Sequence, residues 1–294
     1  MSTFAVISAP SSLGLSTDGV AQLPQALLDA GLGEQIDAGV VGEVAVPPRF
    51  GLDAVIGLLN PDGVREFALR LAATTAEVLD SGRVPVILGG DCSIVLGPLL
   101  ALRRRGRYGL LFIDGHADFY QPAAEPLGEV ASMDLALATG RGPSVLADLG
   151  GLGPLVRDSD VVQFGRRDAA EAAADGSQRI EDTDILVVDL ATVSCLGTEQ
   201  ATSTALAHLD RVDLHGIWVH VDCDVLDDDV MPAVDYRLPG GLGWDDLAQV
   251  LRSTFDTGRV VGIDVTIFNP TLDLDGSIAS CLVDCLARGL GDPT

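Results

Sequence analysis

The side chains best able to do chemistry fall in two acidic segments far apart in the chain. One is Leu111-Phe112-Ile113-Asp114-Gly115-His116-Ala117-Asp118, and the other is Val219-His220-Val221-Asp222-Cys223-Asp224. Each opens on an apolar run that reads as a buried strand. Alternate side chains of an extended chain share a face, so Asp114, His116 and Asp118 converge at one strand end. Asp222 and Asp224 do the same at another. Carboxylates bridge cations, and neutral imidazole suits Mn²⁺, Fe²⁺, Co²⁺, Ni²⁺ or Zn²⁺. A set rich in oxygen with one histidine leans toward Mn²⁺. Two such ions roughly 3.5–4 Å apart can share a hydroxide and lower its pKa. The alternative is structural: Asp222 and Asp224 cap a strand-to-helix turn, and His116 is a satisfied core histidine. Two clusters at neighbouring strand ends favour the metal.

The elements that must position these groups are short apolar runs alternating with helical patterns. Strands are expected at 4–8, 84–88, 108–113, 161–164, 185–188, 216–221 and 259–265. Helices are expected at 20–30, 62–80 and 93–104. Strands separated by helices imply an α/β fold, a parallel sheet with helices on both faces. Ligands then bind beyond the carboxyl ends of the strands. Three strand ends carry polar clusters: Gly90-Asp91-Cys92-Ser93, Asp114 to Asp118, and Asp222 to Asp229. The loops 120–133 and 227–243 are long enough to act as lids. With no repeat, low-complexity tract or linker, residues 1–294 read as one domain.

The 294 residues are 47% hydrophobic, enough for one large core, and carry a net charge of −25. All 18 basic residues other than histidine are arginine. The negative charge reads first as a solubility feature, and it disfavours nucleic acid and anionic membrane surfaces as partners. Five cysteines, odd in number and without a CxxC pair, indicate neither a disulfide framework nor a structural zinc cluster. A reducing cytoplasm is the expected location. The first residues, Met1 to Ile7, lack the pattern of a signal peptide, and no apolar stretch is long enough to span a bilayer.

These motifs resemble the ureohydrolase superfamily of arginases, agmatinases and formimidoylglutamases. Gly89-Gly90-Asp91-Cys92-Ser93 is similar to its G-G-D-H-S, Asp114-Gly115-His116-Ala117-Asp118 to its D-A-H-x-D, and Asp222-Cys223-Asp224-Val225-Leu226-Asp227 to its D-x-D-x-x-D. Gly165-Arg166-Arg167-Asp168, the loop 231–242 and the segment 262–270 extend the resemblance over most of the chain. It implies a three-layer α/β/α fold around a mainly parallel sheet, a homo-oligomer (trimer or hexamer), and a binuclear Mn²⁺ centre acting on a small-molecule substrate. Asp114 and Asp222 would bridge the two metals. Asp118 and the residue at position 92 would complete the first, His116 and Asp224 the second. A metal-bound hydroxide would attack an sp² carbon flanked by nitrogens and expel an amine.

At three positions the chain departs from that pattern. Cys92 stands where the family has a histidine ligand, and is either a softer ligand favouring Zn²⁺ or Fe²⁺, or a buried bystander. Ala131 stands where arginases and agmatinases carry a proton-shuttling histidine. Glu125, Glu129, Asp134 or solvent must then move the proton, a contribution typically worth ~10²–10⁴-fold. Ile267 stands where guanidine-cleaving relatives carry a glutamate that pairs with the guanidinium. Ordinary arginine is therefore not the expected substrate. Tyr120, Asp235 and Tyr236, with Arg237, are candidate substrate contacts; Asp118 and Glu129 are candidate catalytic groups. His220 and Asp264 are expected beside the ligands. The reading that results is a metal-dependent hydrolase of a C–N bond in an amidino or guanidino compound. The alternatives are a catalytically silent metal- or ligand-binding homologue and a single-metal deacylase-like hydrolase.

Overall fold

Apolar runs rich in Val, Ile and Leu give strands that are buried along most of their length, as in a sheet covered on both faces. In the computed structural model, which describes residues 3–291, ten strands form. They are β1 (Phe4–Ser8), β2 (Val40–Glu43), β3 (Leu52–Asp53), β4 (Leu58–Leu59), β5 (Val84–Leu88), β6 (Gly109–Ile113), β7 (Val161–Phe164), β8 (Leu186–Val188), β9 (Ile217–Asp222) and β10 (Val260–Thr266). Met1 and Ser2, which belong to the N-terminal reading above, lie outside the described residues.

Eight strands make one sheet in the order β2-β1-β5-β10-β9-β6-β7-β8, and every adjacent pair is parallel. Strands β3 and β4 form a separate antiparallel hairpin. The two faces of the sheet carry two apolar clusters. Val86, Leu111, Val219 and Val221 pack with the helices at Leu23–Asp29, Thr198–Leu209, Trp244–Phe255 and Ser277–Leu290. Ile87, Leu110, Phe112 and Trp218 pack with those at Pro61–Asp80, Leu96–Arg103 and Asp134–Ala138. The result is the expected three-layer α/β/α arrangement.

Three expectations shift in detail. The helix at 20–30 is a 3-10 turn, Gly19–Gln22, followed by a short α-helix opening at Leu23-Pro24; proline suits a first turn because it lacks an N–H. The helix at 93–104 likewise begins as a 3-10 turn, Cys92–Val95. Strand β2 was not expected: its Val40 and Val41 are exposed at the sheet edge, so VVGE lacks the periodicity of a half-buried strand. All five cysteines are free.

Candidate metal centre

Strands β5, β10, β9 and β6 are consecutive in the sheet, so their carboxyl ends lie side by side. The register places Ile113 beside Val221 and Asp222 beside Thr266, which brings Asp114 and Asp222 onto one rim. Cys92 reaches the same rim from the turn after β5. The Cys92 thiol donates to Asp222 Oδ2 (2.7 Å) and lies 3.2 Å from Thr266 Oγ1.

Local backbone contacts aim each carboxylate. Asp114 Oδ1 accepts from His116 N (2.6 Å), and Asp222 Oδ1 accepts from Asp224 N (2.7 Å). The capping role foreseen for Asp222 is therefore real, and it uses one oxygen while the other faces Cys92. Asp224 Oδ1 accepts from Gly115 N (3.1 Å), and Asp224 Oδ2 lies 2.8 Å from His116 Nδ1. Gln163 Nε2 donates to the carbonyls of Asp114 and His116, pinning the turn from β7. Gly115 leaves little room: a Cβ there would lie 2.4 Å from the mobile end of Arg167 and 2.9 Å from the Asp224 carbonyl, so an alanine needs Arg167 and the Asp224 turn to shift slightly. Gly90 is much more tightly constrained, because a Cβ there would lie 1.7 Å from the Ser11 carbonyl oxygen.

Two residues at the rim have left-handed backbones: Asp118 with φ 45° and Ile267 with φ 71°. A β-branched residue there is a conformational outlier, and such strain concentrates at functional sites. Ile267 is nearly buried, and its N–H donates to the Gly90 carbonyl (2.8 Å).

Electrostatically the rim is a crowded acidic cluster that His116 and Arg167 balance only at Asp224. Burial, then repulsion from neighbouring carboxylates, pushes Asp118, Asp134 and Asp222 well above the usual carboxylate range. Burial and the Asp222 charge likewise push the Cys92 thiol far up. Burial works against ionised Asp224, but the His116 imidazole outweighs it and holds that carboxyl below its ordinary value. Burial also opposes protonated His116, and the Asp224 and Asp114 carboxylates overcome it and raise its pKa.

Several atoms here are buried and without a hydrogen-bond partner among the described residues: Asp114 Oδ2, both Asp134 oxygens and His220 Nε2. Native proteins rarely leave buried polar atoms unpaired. Three donor groups have atoms within 4.8 Å of one another: Asp114, His116 and Asp224; Cys92, Asp118 and Asp134; and Cys92, Asp114 and His220. The chemistry and spacing of these residues fit divalent ions.

A cavity of about 140 Å³ opens onto the rim. Its wall includes Cys92, His116, Asp118, Asp222 and Asp224, with Leu15, Tyr120, Glu125, Glu129, Ala131, Tyr236 and Ile267. Asp168, Glu171 and Asp175 line the same wall. Glu129 accepts from Ser16 N (2.7 Å) and from the Tyr236 hydroxyl (2.5 Å). The Tyr120 hydroxyl donates to Asp175 (3.1 Å). Burial raises the pKa of half-buried Glu125.

Two expected substrate contacts do not line this cavity. Asp235 accepts from Thr17 Oγ1 (3.0 Å) and Asn269 Nδ2 (2.8 Å), so its carboxylate ties three chain segments together. Arg237 is exposed and paired with Asp228. Proximity in sequence to Tyr236 does not carry these two side chains inward. The residues that sequence reasoning undervalued are Asp134 and His220. Their signal was a polar residue inside an apolar run, which does not by itself reveal which buried layer receives it.

A parallel α/β sheet with acidic donor groups converging at the ends of its central strands defines a ureohydrolase-like protein. The chain belongs to the Arginase family, whose sequence profile matches residues 2–290. It is 26% identical to the arginase of Staphylococcus aureus (strain COL) over 297 residues, covering 98% of this chain and 96% of that protein. The structure of arginase from Bacillus caldovelox superposes with a TM-score of 0.90 at 27% identity, covering 99% of both chains. Formimidoylglutamase from Bacillus subtilis shares the fold, with a TM-score of 0.76 at 20% identity over 99% of this chain and 86% of its own. The chain is thus a homologue of hydrolytic enzymes.

Proposed function

We propose that this protein is a metal-dependent hydrolase that cleaves a C–N bond in a small amidino or guanidino compound less basic than arginine. The observation that carries the reading is the set of buried, unpartnered donor atoms, Asp114 Oδ2, both Asp134 oxygens and His220 Nε2, gathered around the carboxyl ends of β6 and β9. Burying such groups is costly unless something is bound. In this reading Asp114 and Asp222 would be shared between two ions, Cys92 and Asp118 would complete one, and His116 and Asp224 would complete the other. Bound divalent ions, Mn²⁺ or, because of Cys92, Zn²⁺ or Fe²⁺, supply Lewis acidity and lower the pKa of water.

The protein's own groups do the remaining work. The carboxylates of Glu129, Glu171 and Asp175 on the cavity wall attract a substrate bearing an amine, while Asp168 is occupied by Arg166. Ile267 offers the reacting carbon an apolar wall where a carboxylate would grip a guanidinium, so a neutral or weakly basic group fits best. Glu129, fixed by Ser16 and Tyr236, and Glu125, with its raised pKa, are placed to exchange a proton with the leaving amine where Ala131 cannot. Tyr120 and Tyr236 contribute hydroxyls at the rim. The small cavity restricts the substrate to a small molecule.

The same reading takes the chain as one arginase-like domain, assembled as a trimer or hexamer and working in the cytoplasm. No helix among the described residues is long and apolar enough to cross a membrane. The test is a screen of amidino, formimidoyl and acylamino compounds for release of ammonia, urea or amine by metal-loaded protein. Turnover abolished by Asp114→Ala supports the proposal. Absence of turnover by protein carrying its full metal complement overturns it and favours the silent homologue.

A further inference from the structure

His220 is the one histidine whose ring is wholly enclosed in the layer beneath the acidic rim. Its ring stacks on Phe112, with centroids 4.4 Å apart and planes at 17°. Its Nδ1 lies 2.5 Å from Asp264 Oδ2, and the other Asp264 oxygen accepts from Trp218 Nε1 (2.5 Å). Asp264 therefore fixes both the ring plane and the tautomer, with the proton on Nδ1 and the lone pair on Nε2. That Nε2 is buried and has no partner among the described residues, and neither has Asp114 Oδ2. Cys92 Sγ, an Asp114 oxygen and a His220 ring nitrogen lie within 4.8 Å of one another. Donors held on one tetrahedral ion at about 2.0–2.3 Å lie about 3.3–3.8 Å apart, so ligation would draw these three groups together by no more than about 1.5 Å.

We propose that His220 is a metal ligand, and that Cys92 Sγ, Asp114 and His220 Nε2 together hold one ion between the ends of β5, β6 and β9, with Asp264 as the positioning residue. The nitrogen donor expected at position 92 is thereby supplied from β9, and the cysteine adds sulfur. Sulfur, nitrogen and oxygen together make a borderline-soft site suited to Zn²⁺, Co²⁺ or Fe²⁺ more than to Mn²⁺. The inference deepens the metal-centre reading above and rests on it.

Chelator-stripped protein is titrated with Co²⁺, reading metal per subunit and the near-ultraviolet thiolate-to-metal absorption. The expected result is a thiolate band in wild type that His220→Gln removes, with loss of one ion per subunit. Asp264→Asn weakens that ion by about 10–100-fold. His116→Gln loses the other ion and keeps the band. Because a buried variant can fail to fold, the wild-type protein is also labelled with ¹⁵N-histidine. Its four histidines make the spectrum simple. Zn²⁺ is expected to move two imidazoles, one of them His220 at Nε2. If only His116 moves, the inference falls and the hydrolase reading stands. If no ion binds at all, both fall.

Discussion

Asp134→Asn turns the stress in the acidic layer into a measurable sign. Asp134 is completely buried at the start of its helix, and neither carboxylate oxygen has a partner among the described residues. Burial, then repulsion from Asp114, Asp91, Asp264 and Asp222, raises its pKa well above the ordinary range. A carboxyl raised on folding keeps its proton in the native state where the unfolded chain has lost it. Native stability is then fullest below the unfolded pKa and falls as pH rises toward the folded one. Asparagine has the same shape and no ionisation to suppress. Both side chains leave buried polar atoms unsatisfied, so the variant removes only the additional cost of the charge, which is about 1–3 kcal/mol. Unfolding entropy of about 2.1 cal/mol/K per residue gives about 0.6 kcal/mol/K for a chain of 294 residues. Metal-free Asp134→Asn should therefore melt about 2–5 °C above metal-free wild type at about pH 8, and level with it at about pH 4. Loading with a divalent ion shrinks the gain, because a cation beside Cys92 and Asp118 offsets the same repulsion. Thermal melts of chelated and loaded protein at both pH values decide the matter. Equal melting at the higher pH, or an equal gain at both, refutes the reasoning.

Cys92→His restores the harder nitrogen donor and should raise Mn²⁺ occupancy, measured by metal analysis after dialysis; unchanged occupancy makes Cys92 a bystander. Ile267→Glu places a carboxylate on the cavity wall and should improve kcat/KM for guanidinium compounds by roughly 10–100-fold, the worth of one charge-assisted pair. A urea-release assay reads this change, and no gain removes Ile267 from the specificity wall. Glu129→Gln keeps the contacts to Ser16 and Tyr236 but not the proton acceptor. It should lower kcat by about 10²–10⁴-fold with metal content unchanged; kcat near wild type would pass the proton role to Glu125 or solvent.

The sheet was readable where its strands are buried on both faces. The runs at 84–88, 108–113 and 216–221 carry enough Val, Ile and Leu to announce themselves, and the clusters that follow them sit where parallel strands deliver ligands. Edge strand β2 was not readable, because its exposed valines have no burial pattern to report. At the site, Asp114, His116, Asp222 and Asp224 do gather at neighbouring strand ends, but through tight turns that follow β6 and β9 rather than through the strand alternation expected, Cys223–Val225 being a 3-10 turn. Alternation could not show that Asp134, from a helix, and His220, from deeper in β9, join the same layer. That depends on the β9–β6 register and on the packing of Phe112 against the imidazole. Asp235 illustrates the opposite limit: being in the right loop says nothing about orientation, and its carboxylate is engaged by Thr17 and Asn269 rather than lining the cavity.

Metal content per subunit, compared between wild type and the Asp114→Ala and Asp222→Ala variants, tests the central claim most directly. The account predicts two divalent ions per subunit in purified, reloaded wild type and loss of both in each variant, with folded secondary structure retained. Wild type that binds no ion, or variants that keep the full complement, would contradict it.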